Sequence, residues 1–390
     1  MTADYNLLIL GATPAAIALA QQARRWQARV ALVYPPGSWG AIDHDRLLMR
    51  CLLQSASVSE AIAAAQDLVE RLEWLQGPIA LEQAGIDVVA SHWKATRSRR
   101  LVDCGDRQLE ARQIWQAQPT GAEATPLWDL LTADPQPRSM TVSGDRAIAL
   151  GVAQALARHG WDVSLATPAI WVSWETAVVQ RLQAQCQAEG IQLLEQCDQK
   201  MAPSELSLKY FQPDPLPLLP GSRAIAANLS SAEVRAIAQQ SLFGWPRGRS
   251  TPVPQQVVEM EPAAAQVGLT EAQARRRYGD RVEIVNASWQ QHPEALIRDQ
   301  TAGFLQLCLL RNGRLLGASW VAENAAELVA PLSLAIQTRR SLPSLLGLWP
   351  DSSFGQVLEQ LLADWETQRN QRGWRRRFLS EWQIFWRSTF

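Results

Sequence analysis

Thiols and imidazoles in reactive arrangements are what this sequence most obviously lacks. Its five cysteines, Cys51, Cys104, Cys186, Cys197 and Cys308, include no pair at CxxC or CxxxxC spacing. That excludes a local dithiol and a disulfide framework, and an odd count of unframed thiols points to a reducing compartment. The four histidines, His44, His92, His159 and His292, stand at no metal-ligand spacing, so no metal site is expected. Neither sign of charge prevails: 37 basic residues face 38 acidic ones. A net charge of −1 gives no global attraction to nucleic acid, and no nucleic-acid partner is expected. No apolar run approaches the ~18 residues that span a bilayer. The N-terminus turns directly into a strand pattern without a basic leader, so a secretory signal is not expected. The expected location is cytoplasmic, either free or peripheral at the cytoplasmic face of a membrane.

Apolar residues are abundant. They make up 47% of the 390 residues against 19% charged, enough for large cores and about two or three domains. Tryptophan, with 17 residues, is unusually frequent and suits cores and interfaces.

The first forty residues form a strand–turn–helix–strand pattern. Leu7-Leu8-Ile9-Leu10 is a continuous apolar run, as in a parallel strand covered on both faces. Gly11-Ala12-Thr13-Pro14 follows, with Pro14 suited to a first helical turn. An alanine-rich helix to about Arg25 leads to a second strand, Val30–Tyr34. The unit recurs about 130 residues later: Met140-Thr141-Val142, a turn from Gly144, a helix to Arg158, and Val163-Ser164-Leu165-Ala166. Two such βαβ units predict two Rossmann-like domains, the second inserted in the first. Residues 203–221, with five prolines, predict an extended connector. Beyond residue 255, Phe304–Leu310 and Leu315–Val321 flank Asn312-Gly313 and predict a β-hairpin. Helices are expected near 324–337 and 353–368.

The segment Val267-Gly268-Leu269-Thr270-Glu271-Ala272-Gln273-Ala274 resembles the entry to the dimerisation domain of the pyridine nucleotide–disulfide oxidoreductases, the family of glutathione reductase, dihydrolipoamide dehydrogenase and mercuric reductase. Gly303-Phe304, Leu316-Gly317-Ala318, Ala326-Glu327-Leu328 and Leu334-Ala335-Ile336 continue the resemblance in register, and Gly85-Ile86-Asp87-Val88-Val89 resembles a strand of the family's FAD domain. The resemblance implies an FAD domain, an inserted NAD(P) domain and a dimerisation domain. It also implies residues that this chain does not have. The two redox cysteines fall on Ala41 and Arg46, and the acid–base histidine and glutamate fall on Trp349 and Phe354. No dithiol or proton shuttle can be built from those four, so no catalytic residue is assigned. The dinucleotide fingerprint of the FAD domain becomes Gly11, Thr13 and Ala16, with Pro14 between, and the ribose-binding acid becomes Tyr34. The family's later A-T-G and G-D motifs become Gln116-Ala117-Gln118 and Asn228-Leu229. In the NAD(P) domain, Gly144, Arg146 and Ala149 stand for the three glycines. Several strands of that domain have no evident sequence to form them.

The last 25 residues carry six arginines and two glutamates, a net +4. Trp374, Phe378, Leu379, Trp382, Phe385 and Trp386 share a helical arc of roughly 140°, with Arg376, Arg377 and Arg387 away from it, Arg375 within it and Ile384 outside it. Such a segment suits a membrane interface or a protein partner.

The fold expected is α/β: a Rossmann-like FAD-type domain (1–135), a reduced NAD(P)-type domain (136–200), a connector returning to the first (201–254), an α+β dimerisation domain (255–365) and a basic tail (366–390). A homodimer is expected. The lost motifs predict a non-catalytic scaffold or binding protein with no cofactor. The alternative is an oxidoreductase that retains FAD and NAD(P)H and acts on a non-disulfide acceptor; a second is a small-molecule sensor using the vestigial cleft.

Overall fold

The computed structural model describes residues 4–371 apart from 38, 40–41, 119–126, 134–135, 137, 195–205, 211–215, 227–228, 230, 245–252, 292, 298–300, 302, 324, 346 and 348–355. The chain forms two compact units, residues 1–167 with 190–249, and residues 168–189 with 250–390.

In the first unit, β1 (Tyr5–Leu10), helix α1 (Pro14–Arg25) and β2 (Val30–Tyr34) follow the sequence pattern. Helices α2 (His44–Gln54), α3 (Val58–Gln76) and α4 (Pro78–Gln83) precede β3 (Asp87–Ala90). A short antiparallel flap, β4 (Lys94–Ala95) and β5 (Leu101–Asp103), leads into the long β6 (Gln108–Ala117). Helix α5 (Leu127–Ala133) leads to the second Rossmann-like segment: β7 (Ser139–Gly144), α6 (Ile148–Arg158) and β8 (Asp162–Ala166). The chain then contributes α7 (Pro168–Ser173) and α8 (Thr176–Ala188) to the second unit. It returns with β9 (Gln192–Leu193), β10 (Leu206–Tyr210), β11 (Ser222–Ile225) and α9 (Ser231–Phe243).

Two parallel sheets result. The first runs β3-β2-β1-β6 with β11 on the far side of β6, and the flap continues from β6. Alternate residues of β1 supply opposite faces. Leu7 and Ile9 pack with Ile17 and Leu19 of α1 and Ile237 of α9; Leu8 and Leu10 pack with Val102, Leu109 and Ile114. Both faces are covered, which is why the strand is an unbroken apolar run. The second sheet runs β10-β7-β8-β9, with the buried residues Ala149–Leu156 of α6 against it. Here the structure corrects the sequence-based expectation. Part of the predicted connector is strand β10, which pairs with β7 from Leu206↔Met140 to Tyr210↔Gly144. Leu206, Leu208 and Tyr210 alternate with polar residues, and the proline cluster begins only at Pro213.

The second unit is built on β12 (Gln255–Val258), β13 (Ala263–Gly268), helix α10 (Glu271–Tyr278), β14 (Val282–Ser288), α11 (Pro293–Ile297), β15 (Phe304–Leu310), β16 (Leu315–Ala322), α12 (Val329–Gln337) and α13 (Gln356–Gln371). The sheet is antiparallel throughout, in the order β12-β13-β16-β15-β14. The hairpin forms where expected, with Gly313 at φ +84 in the turn, a conformation that favours glycine. Thr270 and Gln273 close a capping box at the start of α10. One sheet face is apolar: Val267, Leu305, Leu307 and Trp320 pack with Leu332 of α12 and Leu358 and Trp365 of α13. The other face holds a buried polar cluster. Gln266 accepts the amide of Glu175 at 2.7 Å and the hydroxyl of Ser319 at 3.2 Å, and Glu175 accepts the amide of Glu271 at 2.6 Å. Through these bonds α8 is fastened to the C-terminal sheet rather than to the parallel sheet that precedes it in sequence. Among the described residues, no helix is long and apolar enough to cross a membrane.

Candidate functional site

In open parallel sheets, ligands bind outside the carboxyl ends of the strands. In the first unit, β2, β1 and β6 end side by side with Tyr34, Gly11 and Ala117. Gly11 has φ +96, and its N–H donates to the carbonyl of Val33 at 2.7 Å. An added Cβ would lie 2.9 Å from the Cβ of Ala117, so only glycine lets β1 turn this tightly against β6. Thr13 caps α1: its extended backbone points Oγ1 at the helix, where it accepts the amide of Ala16 at 3.3 Å. Pro14 occupies the first helical turn as expected. An N-terminus of this kind carries partial positive charge and suits an anion. The Thr13 hydroxyl uses its oxygen for the cap, and its hydrogen is left to donate.

Beside this turn, Tyr34 packs edge-on against Trp39, with ring centroids 4.8 Å apart at 77°. The Trp39 indole N–H is buried and has no hydrogen-bond partner among the described residues. On the opposite flank, Gln116 and Gln118 grip the chain before β11. Gln116 donates to the carbonyl of Pro217 and accepts the amide of Leu219; Gln118 accepts the amide of Leu216 at 2.7 Å. The Gln118 side-chain nitrogen is buried without a partner among the described residues. Two buried donors with no acceptor among the described residues thus lie on either side of an anion-suited turn, one on the ring packed against Tyr34 and one just past the end of β6. This arrangement fits a dinucleotide, whose phosphate and ribose oxygens are acceptors. Trp39 escaped the sequence analysis because it belongs to no motif. Only its placement next to Tyr34 marks it.

The other candidate positions are distributed as follows. Arg46 lies in the first turn of α2, where its amide donates to the Asp43 carboxylate at 3.1 Å. Cys51 lies further along α2 and is buried, and burial pushes its thiol up. Burial also raises the thiols of Cys186 and Cys308 to about 12, aided by Glu189 at the former and by Glu175 and Glu271 at the latter. Thiols held protonated in this way are poor nucleophiles. Gly144, Arg146 and Ala149 lie at the β7–α6 turn. Ala41, Trp349, Phe354 and Asn228 lie outside the described residues, as do Trp374, Arg375, Arg376, Arg377, Phe378, Trp382, Phe385 and Trp386 of the tail.

Residues 254–345 match the family model of the pyridine nucleotide-disulphide oxidoreductase dimerisation domain. The chain is related to the pyridine nucleotide-disulphide oxidoreductases. It is 27% identical to a mercuric reductase of Acidithiobacillus ferrooxidans over 58% of this chain and 51% of that protein. It is 37% identical to a glutathione reductase of Burkholderia cepacia over 23% of this chain and 21% of that one. The chain thus spans about half the length, or less, of the curated relatives it matches. In fold it is similar to the HOCl-induced flavoprotein disulfide reductase RclA of Escherichia coli, with a TM-score of 0.77 at 16% identity, covering 92% of this chain and 99% of that one. The α/β fold, with its C-terminal antiparallel dimerisation domain, therefore matches that of a solved flavoprotein disulfide reductase. These relatives overturn the expectation of a non-catalytic scaffold: the proteins that the chain resembles are reductases. A changed motif residue does not by itself remove a site. Thr13, where a glycine was expected, keeps a capped, anion-suited helix start.

Proposed function

We propose that this protein is an FAD-dependent oxidoreductase whose electron acceptor is not a disulfide. The observation that carries the reading is the β1–α1 turn, with Gly11 in a left-handed conformation, Thr13 capping α1 and the unpartnered indole N–H of Trp39 beside it. In this reading the start of α1 and the Thr13 hydroxyl hold the pyrophosphate, while Tyr34 and Trp39 enclose the adenosine end. FAD, when bound, supplies reversible transfer of one or two electrons. The protein's own part is to bind and orient the cofactor. The family resemblance puts the two redox cysteines at Ala41 and Arg46, and Cys51 of α2 is buried, with no second cysteine in that helix, so no dithiol relays electrons and the acceptor meets the flavin directly.

Freshly purified protein is expected to be yellow, with flavin absorbance near one equivalent per chain retained through desalting. Gly11→Val, opposed both by φ and by Ala117, is expected to lose that absorbance. A colourless wild-type protein that takes up no added FAD would overturn the reading.

The dimerisation domain leads us to propose a two-fold homodimer, since obligate interfaces of this kind are large and apolar. Light scattering at micromolar concentration is expected to return twice the mass of one 43.3 kDa chain. A monomer mass would refute the dimer.

A further inference from the structure

The two βαβ units of the first compact unit end β1 and β7 alike in a left-handed glycine, and they differ in what lies over the turn. Above Gly11 the nearest neighbour is a side-chain methyl, the Cβ of Ala117. Above Gly144, at φ +147, it is main chain: an added Cβ would stand 2.2 Å from the carbonyl oxygen of Tyr210, at the end of β10. That carbonyl also accepts the amides of both Asp145 and Arg146, each at 3.1 Å. Amides at this position in a strand–turn–helix unit are the donors that a pyrophosphate needs. Helix α6 begins only at Ile148, and its N-cap, Ala147, contributes no side-chain hydrogen bond, whereas α1 is capped by Thr13. Thr167, which follows β8 where a ribose contact would be made, is completely buried, its hydroxyl without a partner among the described residues, so no ribose reaches it without moving the chain around it.

We propose that the β7–α6 turn is occupied by the protein's own chain and takes no NADH or NADPH, with Tyr210 as the plug and Asp45 as its anchor. The plug is fixed from two sides. Along β10, Tyr210 pairs in register with Gly144. Through its side chain, the Tyr210 hydroxyl donates to the Asp45 carboxylate at 3.0 Å, and the same carboxylate accepts the amides of Leu127 and Trp128 at 3.0 and 2.9 Å. Asp45 lies on α2, which also packs on α6, so the anchor and the turn are parts of one packed body. Opening the turn to a nucleotide would break two backbone hydrogen bonds and drag β10 off a buried acid. The NAD(P)-type domain that the family resemblance implies does not fit its cofactor here, and in this chain it serves as packing for α2. The reductant of the proposed flavin then reaches it by another route.

Amide hydrogen exchange on the full-length protein tests this at the turn itself. In the free protein, the amides of Asp145 and Arg146 are expected to exchange slowly, and saturating NADH or NADPH is expected to leave them unchanged. Tyr210→Phe keeps the ring but removes the anchoring hydrogen bond. It is expected to speed exchange at both amides on the order of tenfold, the effect of losing one hydrogen bond to a buried acid. Fast exchange in the free protein, or protection that appears at Asp145 and Arg146 on adding either nucleotide, would overturn the proposal. Unchanged exchange in Tyr210→Phe would overturn the role of Asp45 as anchor. Flavin absorbance is silent on this turn, so this proposal and the flavin reading fail separately.

Discussion

Replacing Trp320 by alanine is expected to cost the C-terminal unit about 3–5 kcal/mol, the usual loss for a buried large aromatic. Trp320 sits on β16, the central strand of the five-stranded sheet, with no exposed surface, among Leu305, Leu307, Leu332 and Trp365. Its indole N–H donates to the carbonyl of Ala325 at 2.9 Å, tying the sheet to the segment that leads into α12. Alanine would leave a cavity where the apolar faces of sheet and helices meet and strand that carbonyl. Phenylalanine would fill most of the volume and lose only the hydrogen bond, so its cost should be smaller. Urea unfolding followed by circular dichroism measures both. A loss below about 1 kcal/mol for the alanine variant, the range of an ordinary substitution, would mean that this core does not hold the unit together. If the proposed homodimer forms through this domain, the alanine variant should also dissociate at higher protein concentration than wild type.

The second large effect is expected at Asp45. Its carboxylate is buried and accepts three hydrogen bonds, from two amides at the start of α5 and from Tyr210. Asp45→Ala leaves all three donors unsatisfied, and each buried donor left unpaired costs roughly 1–3 kcal/mol. Substitution by asparagine retains an acceptor oxygen and most of the volume, and should cost less. The two variants also separate shape from charge as pH changes. Burial holds the Asp45 acid above its ordinary range, only partly countered by the amides of Trp128 and Leu127 and by the Tyr210 hydroxyl. The folded protein therefore keeps a proton at pH values where the unfolded chain has already lost it. The Asp45 contribution is most favourable below the ordinary aspartate range. It declines as pH rises from that range through the raised pKa, and is flat beyond. The stability difference between wild type and Asp45→Asn is expected to move against wild type across that interval. A difference that moves the other way would show that hydrogen bonding, not burial, sets this acid.

Most of the fold was legible because its signals are local. The apolar run of β1, the glycine and proline at the start of α1 and the Asn312-Gly313 turn each act within a few residues, and each formed where its chemistry required. Strand β10 was hidden because five residues of weak alternation lie beside a run of prolines, and a strand so short is decided by its neighbour β7 rather than by its own propensity. The assignment of α7 and α8 to the C-terminal unit was hidden for a related reason. The residues that fasten them, Glu175 and Gln266, are 91 positions apart and carry no motif.

The β1–α1 turn proposed to hold flavin shows the same division. Sequence singles out Gly11, Thr13, Pro14, Ala16 and Tyr34, because a strand–turn–helix imposes a fixed order on its residues. It could not show that Thr13 caps the helix instead of obstructing it, since that depends on a side-chain rotamer and on which amide lies within reach. Nor could it bring Trp39 to Tyr34, or Tyr210 over Gly144 and onto Asp45 across 165 positions. Composition, periodicity and turn chemistry determined the two strand–turn–helix–strand units and the C-terminal hairpin, and their order. Only the tertiary structure decided which of the two nucleotide-type turns is filled by its own main chain. Hydrogen-bond satisfaction belongs to the packed assembly, and no stretch of chain specifies it alone.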